Sequence, residues 1–256
     1  MKMTRWLFVL LLIFGFSYSS FAAFKTDNTD DYISCASGAG LNAVSTGTIA
    51  LWVKWVGTGQ DACFNGNGCI SSRQNNGVFS NHILGLNGSD PATAEIIWIP
   101  YSPTVIAVTG ATSVGNGTWH HVAIVFTSGA HTLYLDGVSD GTGTTTGSAG
   151  DNSSTVLSIG AWIGDGAGYS GSVISDFAVW TVELTADEVL KLAKSRVKRM
   201  PLQIRPASLV SYYAIDECGE GATCTNTVAN LANVGTFTGT MTNNPTGQAE
   251  QVLSYP

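Results

Sequence analysis

Short hydrophobic runs rich in β-branched and aromatic residues recur along the chain, bounded by polar turn residues such as Gly, Pro, Asn or Asp. This pattern predicts strands over 48–56, 82–86, 95–99, 104–108, 119–126, 131–136, 156–160, 173–180 and 208–215. Nine strands at this spacing imply a two-sheet sandwich or a barrel, an all-β fold. Within 119–126, Val122, Ile124 and Phe126 fall on one face and His121, Ala123 and Val125 on the other. Both faces are mostly apolar, as in a central strand covered on both sides. Because they face opposite ways, His120 and His121 cannot readily share a metal, and Asp136-Gly137 supplies a hairpin turn. Ile174 and Phe177 would both face inward three residues apart, which breaks the period at Asp176 and predicts a bulge.

One segment has helical signals instead. Thr185 and Glu188 have capping-box spacing, Leu184 and Val189 fall where a hydrophobic staple would, and Lys191, Lys194 and Arg196 crowd the far end before Pro201. A short helix is expected over about 186–196.

The N-terminus has another pattern: Lys2 and Arg5 precede an apolar run, and Ser20 and Ala22 suit a signal peptidase. Residues 1–23 are expected to be a secretory signal, leaving 24–256 as a single domain, secreted or held at the cell surface. The apolar run is too short to span a bilayer, so membrane insertion is not expected. Loss of Lys2 and Arg5 leaves nine basic residues against 18 acids, a net charge of about −9. That surface repels phosphate backbones, which excludes nucleic acid as an expected partner.

In an oxidising compartment, near pairing of the five cysteines gives Cys63–Cys69 and Cys218–Cys224 as candidate disulfides. Cys35 is left as either a buried thiol or the partner of a more distant cysteine.

The stretch Gly117-Thr118-Trp119-His120 through Leu133-Tyr134-Leu135-Asp136-Gly137 resembles the laminin G-like module of the concanavalin A-like lectin/glucanase superfamily. Further landmarks follow in the expected order: Asp31-Tyr32-Ile33, Gly47-Thr48-Ile49, Ile70-Ser71-Ser72-Arg73, Leu157-Ser158-Ile159-Gly160, Gly171-Ser172-Val173-Ile174 and Leu184-Thr185-Ala186. The resemblance covers nearly all of the mature chain. It implies a two-sheet antiparallel jelly roll whose concave sheet is often used for ligands, in some members with a calcium ion at the rim. Trp119, His120 and Tyr134 then read as scaffold.

Glycanases of this superfamily carry Glu-x-Asp-x-x-Glu on one strand, which sets acid and nucleophile at the separation of a retaining mechanism. No Glu in this chain has an Asp two residues later, and no GxSxG elbow, HExxH helix or phosphate loop occurs. An enzyme is therefore not expected. The loop Gly160–Gly171 places Trp162, Asp165 and Tyr169 among glycines, an aromatic and acidic set suited to sugar rings and hydroxyls; Trp162 could equally plug the edge of the core. Trp98 and Tyr101, flanked by Pro100 and Pro103, form a second candidate, with core packing as the other reading of Trp98. Asp27, Asp30 and Asp31 offer oxygen ligands for Ca2+, or are an unpaired acidic cluster at an exposed end. The function expected is a secreted, non-catalytic lectin-like module for glycan or another surface ligand. The alternative is a structural or adhesive surface or virion subunit packed against protein neighbours, with a glycan-active hydrolase third.

Overall fold

The structure is a computed structural model that describes residues 21–27, 29–35, 45–56, 68–75, 78–88, 93–100, 107–115, 117–144, 156–162, 168–195, 199–215, 227–232, 238–242 and 246–250. In chain order its strands are β1 (Phe21–Lys25), β2 (Tyr32–Cys35), β3 (Gly47–Trp55), β4 (Cys69–Asn75), β5 (Val78–Asn87), β6 (Glu95–Pro100), β7 (Val108–Ser113), β8 (Trp119–Phe126) and β9 (Ala130–Leu135). There follow β10 (Val138–Thr144), β11 (Leu157–Ile159), β12 (Ala161–Trp162), β13 (Gly168–Tyr169), β14 (Ser172–Trp180), β15 (Leu209–Tyr213), β16 (Thr227–Val228), β17 (Gly239–Thr242) and β18 (Thr246–Glu250). A helix α1 (Ala186–Lys194) and a 3-10 turn (Met200–Gln203) separate β14 from β15.

Two eight-stranded antiparallel sheets result. One runs β10-β9-β8-β3-β14-β1-β18 with β15 also on β14; the other runs β16-β17-β2-β11-β4-β5-β6-β7. The core joins Ile49, Leu51, Val122, Ile124, Phe126, Ile174 and Phe177 of the first sheet to Ile33, Ile70, Leu84, Trp98, Leu157 and Ile159 of the second. As its two apolar faces require, β8 is internal to the sheet, between β3 and β9, and its other face contributes Ala123 and Val125 to a second cluster. That cluster lies under α1, whose Val189 and Leu192 are buried in it with Leu184. The capping box forms: Glu188 N–H donates to Thr185 Oγ1, and Thr185 N–H donates to Glu188 Oε2 at 2.8 Å.

The bulge at Asp176 also forms, at φ 51°, with a register shift between Ser175 and Ala178. Its role comes from topology: β14 pairs with β1 on one side of the bulge and with β15 on the other, along the same edge. The Tyr212 hydroxyl donates to Asp176 Oδ1 and holds the bulge.

Some expected elements differ. Of the strand anticipated at 104–108, residues 104–106 lie outside the described residues; the strand observed next to it, β7, begins only at Val108 and runs to Ser113, where its ladder with β6 pairs Trp98 with Val108 and Glu95 with Ser113. β7 is an exposed edge strand of threonine and glycine with little apolar signal. β4 was not apparent in the apolar pattern, because Ser71, Ser72 and Arg73 are polar and nevertheless buried. Cys35 is free and fully buried; burial pushes its thiol up to about 12. Cys69 is not a free thiol, and Cys63, Cys218 and Cys224 lie outside the described residues.

Candidate functional site

The site begins at the turn between β1 and β2. Asp27 Oδ1 accepts the N–H of Thr29 at 2.8 Å and that of Asp30 at 3.3 Å, which is an Asx turn that folds three carboxylates together. One oxygen each from Asp27, Asp30 and Asp31 lies within 4.8 Å of the others. Asp27 is exposed, Asp30 half-buried and Asp31 only 4% exposed, with a buried Oδ1 that has no hydrogen-bond partner. Burial, and then the negative charges of Asp27 and Asp30, push the Asp31 carboxyl up to about 7.

Directly after this turn Tyr32 leaves the sheet on the side opposite the core residue Ile33. Its ring meets that of Tyr169, with centroids 6.3 Å apart and planes tilted by 38°. Tyr169 comes from the expected loop, which folds as a small ribbon pairing Ala161 with Tyr169 and Trp162 with Gly168. Gly160 opens the ribbon at φ 89°, and a Cβ there would lie 2.8 Å from Thr26 Cγ2. Thr26 ties the foot of the ribbon to β1: its Oγ1 accepts the Ser172 N–H at 3.0 Å and donates to the Ser170 carbonyl. Burial raises the Tyr169 phenol, and Tyr32 and the Asp30 charge add to the effect. Tyr32, Tyr169 and Asp30 thus share one partly exposed rim. The alternation of Tyr32 with Ile33 is the local signal that could have placed Tyr32 on this rim, and the composition of the loop 160–171 does not reveal it.

The other candidates fall elsewhere. Successive residues of a ribbon face opposite ways, so Trp162 points away from Tyr169. It packs, half-buried, on Cys69, Ile83, Ile97 and Ile99, with its indole nitrogen buried, and so acts as a plug over the second sheet. Trp98 is not a ligand face at all. It is fully buried between the sheets, stacks on His82 and Phe126, and its Nε1–H donates to His131 Nδ1 at 3.1 Å. The core claims this residue because its pairing in β6 turns the ring inward with Ile96. Asp165 and Tyr101 lie outside the described residues.

The aromatic stretch around β8 and β9 is structural. Lys54 Nζ lies 5.4 Å over the buried Trp119 ring, and Asp136 binds His120 Nδ1 at 2.8 Å through Oδ2 and the His121 N–H at 2.9 Å through Oδ1. Burial holds His82 down at about 3 and His121 at about 4, so both are neutral near pH 7.

An antiparallel two-sheet jelly roll with aromatic and acidic groups on a rim ribbon is the class of protein that these features define. The chain belongs to the concanavalin A-like lectin/glucanases superfamily, whose laminin G-type model matches residues 27–190. No curated protein sequence matches it. Among solved structures it is similar to a provisionally assigned carbohydrate-binding protein of Bacteroides ovatus, at 18% identity and TM-score 0.65, covering 90% of this chain and 60% of that one. It is also similar to the heptameric SAP-like pentraxin of Limulus polyphemus, at 19% identity and TM-score 0.53 over 68% of this chain and 81% of that one. The bacteriophage CBA120 tailspike protein 2 aligns at 14% identity and TM-score 0.51, over 70% of this chain and 28% of that one. At these identities the likenesses concern the fold. No described helix is long and apolar enough to cross a membrane.

Proposed function

We propose that the chain is a secreted, non-catalytic module that binds glycan at the rim formed by Tyr32, Tyr169 and Asp30. The observation that carries this reading is the tilted, partly exposed pair Tyr32–Tyr169 beside a carboxylate. Two aromatic faces offer stacking surfaces to the C–H face of a sugar ring, and the carboxylate of Asp30 accepts from its hydroxyls. Similarity to the Bacteroides ovatus protein supports the ligand class. The non-catalytic part rests on the missing Glu-x-Asp-x-x-Glu pattern and on the burial of Asp31, the carboxyl with the raised pKa, where a substrate cannot reach it. Secretion and the Cys63–Cys69 and Cys218–Cys224 pairs belong to the same reading, which the engaged state of Cys69 supports.

The test is a glycan array followed by calorimetric titration of the best ligand into the native chain and three variants. Tyr169→Ala and Tyr32→Ala should each weaken binding by roughly tenfold or more without changing the melting temperature much. Trp162→Ala should instead lower stability and leave affinity within a few-fold. A silent array together with stable oligomers would favour the structural-subunit reading, and so would variants that bind as well as the native chain.

A further inference from the structure

On the reading of the rim as the binding site, we propose that Thr26 is its positioning residue: the buried Thr26 hydroxyl latches the ribbon β12–β13 to β1 and thereby sets Tyr169 against Tyr32. Tyr32 opens β2, a strand of the second sheet, whereas Tyr169 lies on a two-stranded ribbon that belongs to neither large sheet. The 6.3 Å between their rings is therefore set by long-range contacts. So short a ribbon is not stable by itself, and what holds each arm decides where it sits.

The two arms are held from different sheets. On β12 the Ser72 hydroxyl donates to the Ala161 carbonyl at 2.9 Å, the Gly160 N–H donates to the Ile70 carbonyl at 2.7 Å, and Trp162 packs on Ile83, Ile97 and Ile99. All of these belong to the second sheet. β13, which carries Tyr169, is tied to the first. Thr26 is 1% exposed, and Ser170 and Ser172 are fully buried. The Thr26 N–H donates to the Ser172 carbonyl at 2.9 Å, and Thr26 Oγ1 accepts the Ser172 N–H at 3.0 Å. The same hydroxyl donates to the carbonyl of Ser170, the residue next to Tyr169 and 144 positions away in the chain. Beside it the Ser170 and Ser172 hydroxyls pair with each other. One hydroxyl thus joins the end of β1, the foot of the ribbon and the start of β14. Valine has the shape of threonine with neither its donor nor its acceptor, so Thr26→Val keeps the packing and releases Ser170, and with it Tyr169, from β1. A loosened rim must order its two rings at the moment of binding, which lowers affinity without removing any contact to the sugar.

The test compares the native chain with Thr26→Val, Thr26→Ser and a matched control, Thr48→Val. Thr48 is equally buried, and its Oγ1 donates to the Val182 carbonyl and accepts the Leu184 N–H, each at 2.9 Å. It pairs with Trp180, whereas Ser172 pairs with Trp55, so it lies at the far end of β3 from the latch. Ruthenium-sensitised photo-oxidation couples neighbouring tyrosines; mass spectrometry of the Tyr32–Tyr169 dityrosine peptide, with Tyr169→Phe as the blank, reads the rim without any glycan. Affinity for the glycan that the native chain selects on the array is read by calorimetry below the melting range of every variant. Thr26→Val should lower the cross-link yield at least about threefold and weaken the glycan about five- to tenfold. Thr26→Ser, which keeps the hydroxyl, should stay within about twofold on both. Thr48→Val should lower the melting temperature as much as Thr26→Val and leave both other readouts unchanged. Ser170→Ala is milder, removes only the hydroxyl beside the latch, and should lower the yield by about twofold; it decides the matter if Thr26→Val does not fold. A Thr26→Val chain that cross-links or binds like the native protein overturns the proposal. So does Thr26→Ser behaving like Thr26→Val, or Thr48→Val losing affinity in step with it. A silent array, or Tyr32→Ala and Tyr169→Ala that bind as the native chain does, sinks the rim as the site instead, and the cross-link yield then judges the latch separately.

Discussion

Asp136 gives the sharpest test of how the edge hairpin β9–β10 is held. It occupies φ 52° and Gly137 φ 83°, the pair of left-handed residues that a two-residue turn between β9 and β10 requires. Replacing it by Ala has three costs. An alanine in the left-handed region costs about 1 kcal/mol or more, which Asp and Asn largely avoid. Losing Oδ1 leaves the His121 N–H without its 2.9 Å acceptor, about 1 kcal/mol. The His120 contact adds at most about 0.5 kcal/mol, because the Asp136 side chain is 41% exposed and solvent screens it. Asp136→Ala should therefore destabilise by roughly 2–3 kcal/mol. Asp136→Gly, which relieves the backbone but loses the acceptor, should cost about 1–2 kcal/mol. Asp136→Asn retains both the conformation and Oδ1, and should cost under about 1 kcal/mol. Urea unfolding monitored by tryptophan fluorescence reads the midpoints, with the slope checked for constancy. Equal losses for Ala and Asn would refute the reasoning, since only the charge would then matter.

Other predictions concern pH, the N-terminus and the core. His82 and His121 have folded pKa values near 3 and 4, below the ordinary 6.5, so the unfolded chain takes up protons first as pH falls. Their contribution is complete above about 6.5 and declines below it, by about 1.4 kcal/mol per pH unit for each histidine between roughly 4 and 6. The raised Asp31 carboxyl acts with the opposite sign, since its stabilisation is full below 3.8 and is lost as pH rises through about 7. Asp31→Asn should steepen the acid loss in urea midpoints measured from pH 4.5 to 7; an unchanged profile would contradict the assignment. Strand β1 (Phe21–Lys25) places Phe24 in the inter-sheet core, so Phe24→Ala should cost about 3–5 kcal/mol; if the expected leader is removed, intact mass should show a mature chain that begins at Ala23 or Phe24 and so keeps Phe24. A well-folded mature chain starting beyond Phe24 would argue against β1 as part of the native sheet. Trp98→Phe leaves His131 Nδ1 without its buried donor and should destabilise by about 1–3 kcal/mol, with no change in ligand affinity. A loss of affinity at constant stability would restore Trp98 as a ligand residue.

The amino-acid sequence alone determined those elements whose signal is local. Short runs rich in β-branched and aromatic residues marked β3, β8 and β14, two apolar faces marked β8 as covered on both sides, the Asp136-Gly137 pair marked the hairpin, and Thr185 with Glu188 marked the start of α1. Each depends on residues a few positions apart, which the chain order itself specifies. Long-range pairing decided the rest. β4 and β7 carry polar residues and gain their place only from neighbouring ladders, so no local period announces them. The rim was divided in the same way. Trp98, Trp162 and Tyr169 are equally aromatic on paper, yet the ladder of β6 turns Trp98 inward, and the ribbon sends Trp162 to the isoleucines and Tyr169 to Tyr32. Which face of a strand reaches water depends on what packs above it, and that partner lies about 140 residues away in the case of Tyr32 and Tyr169.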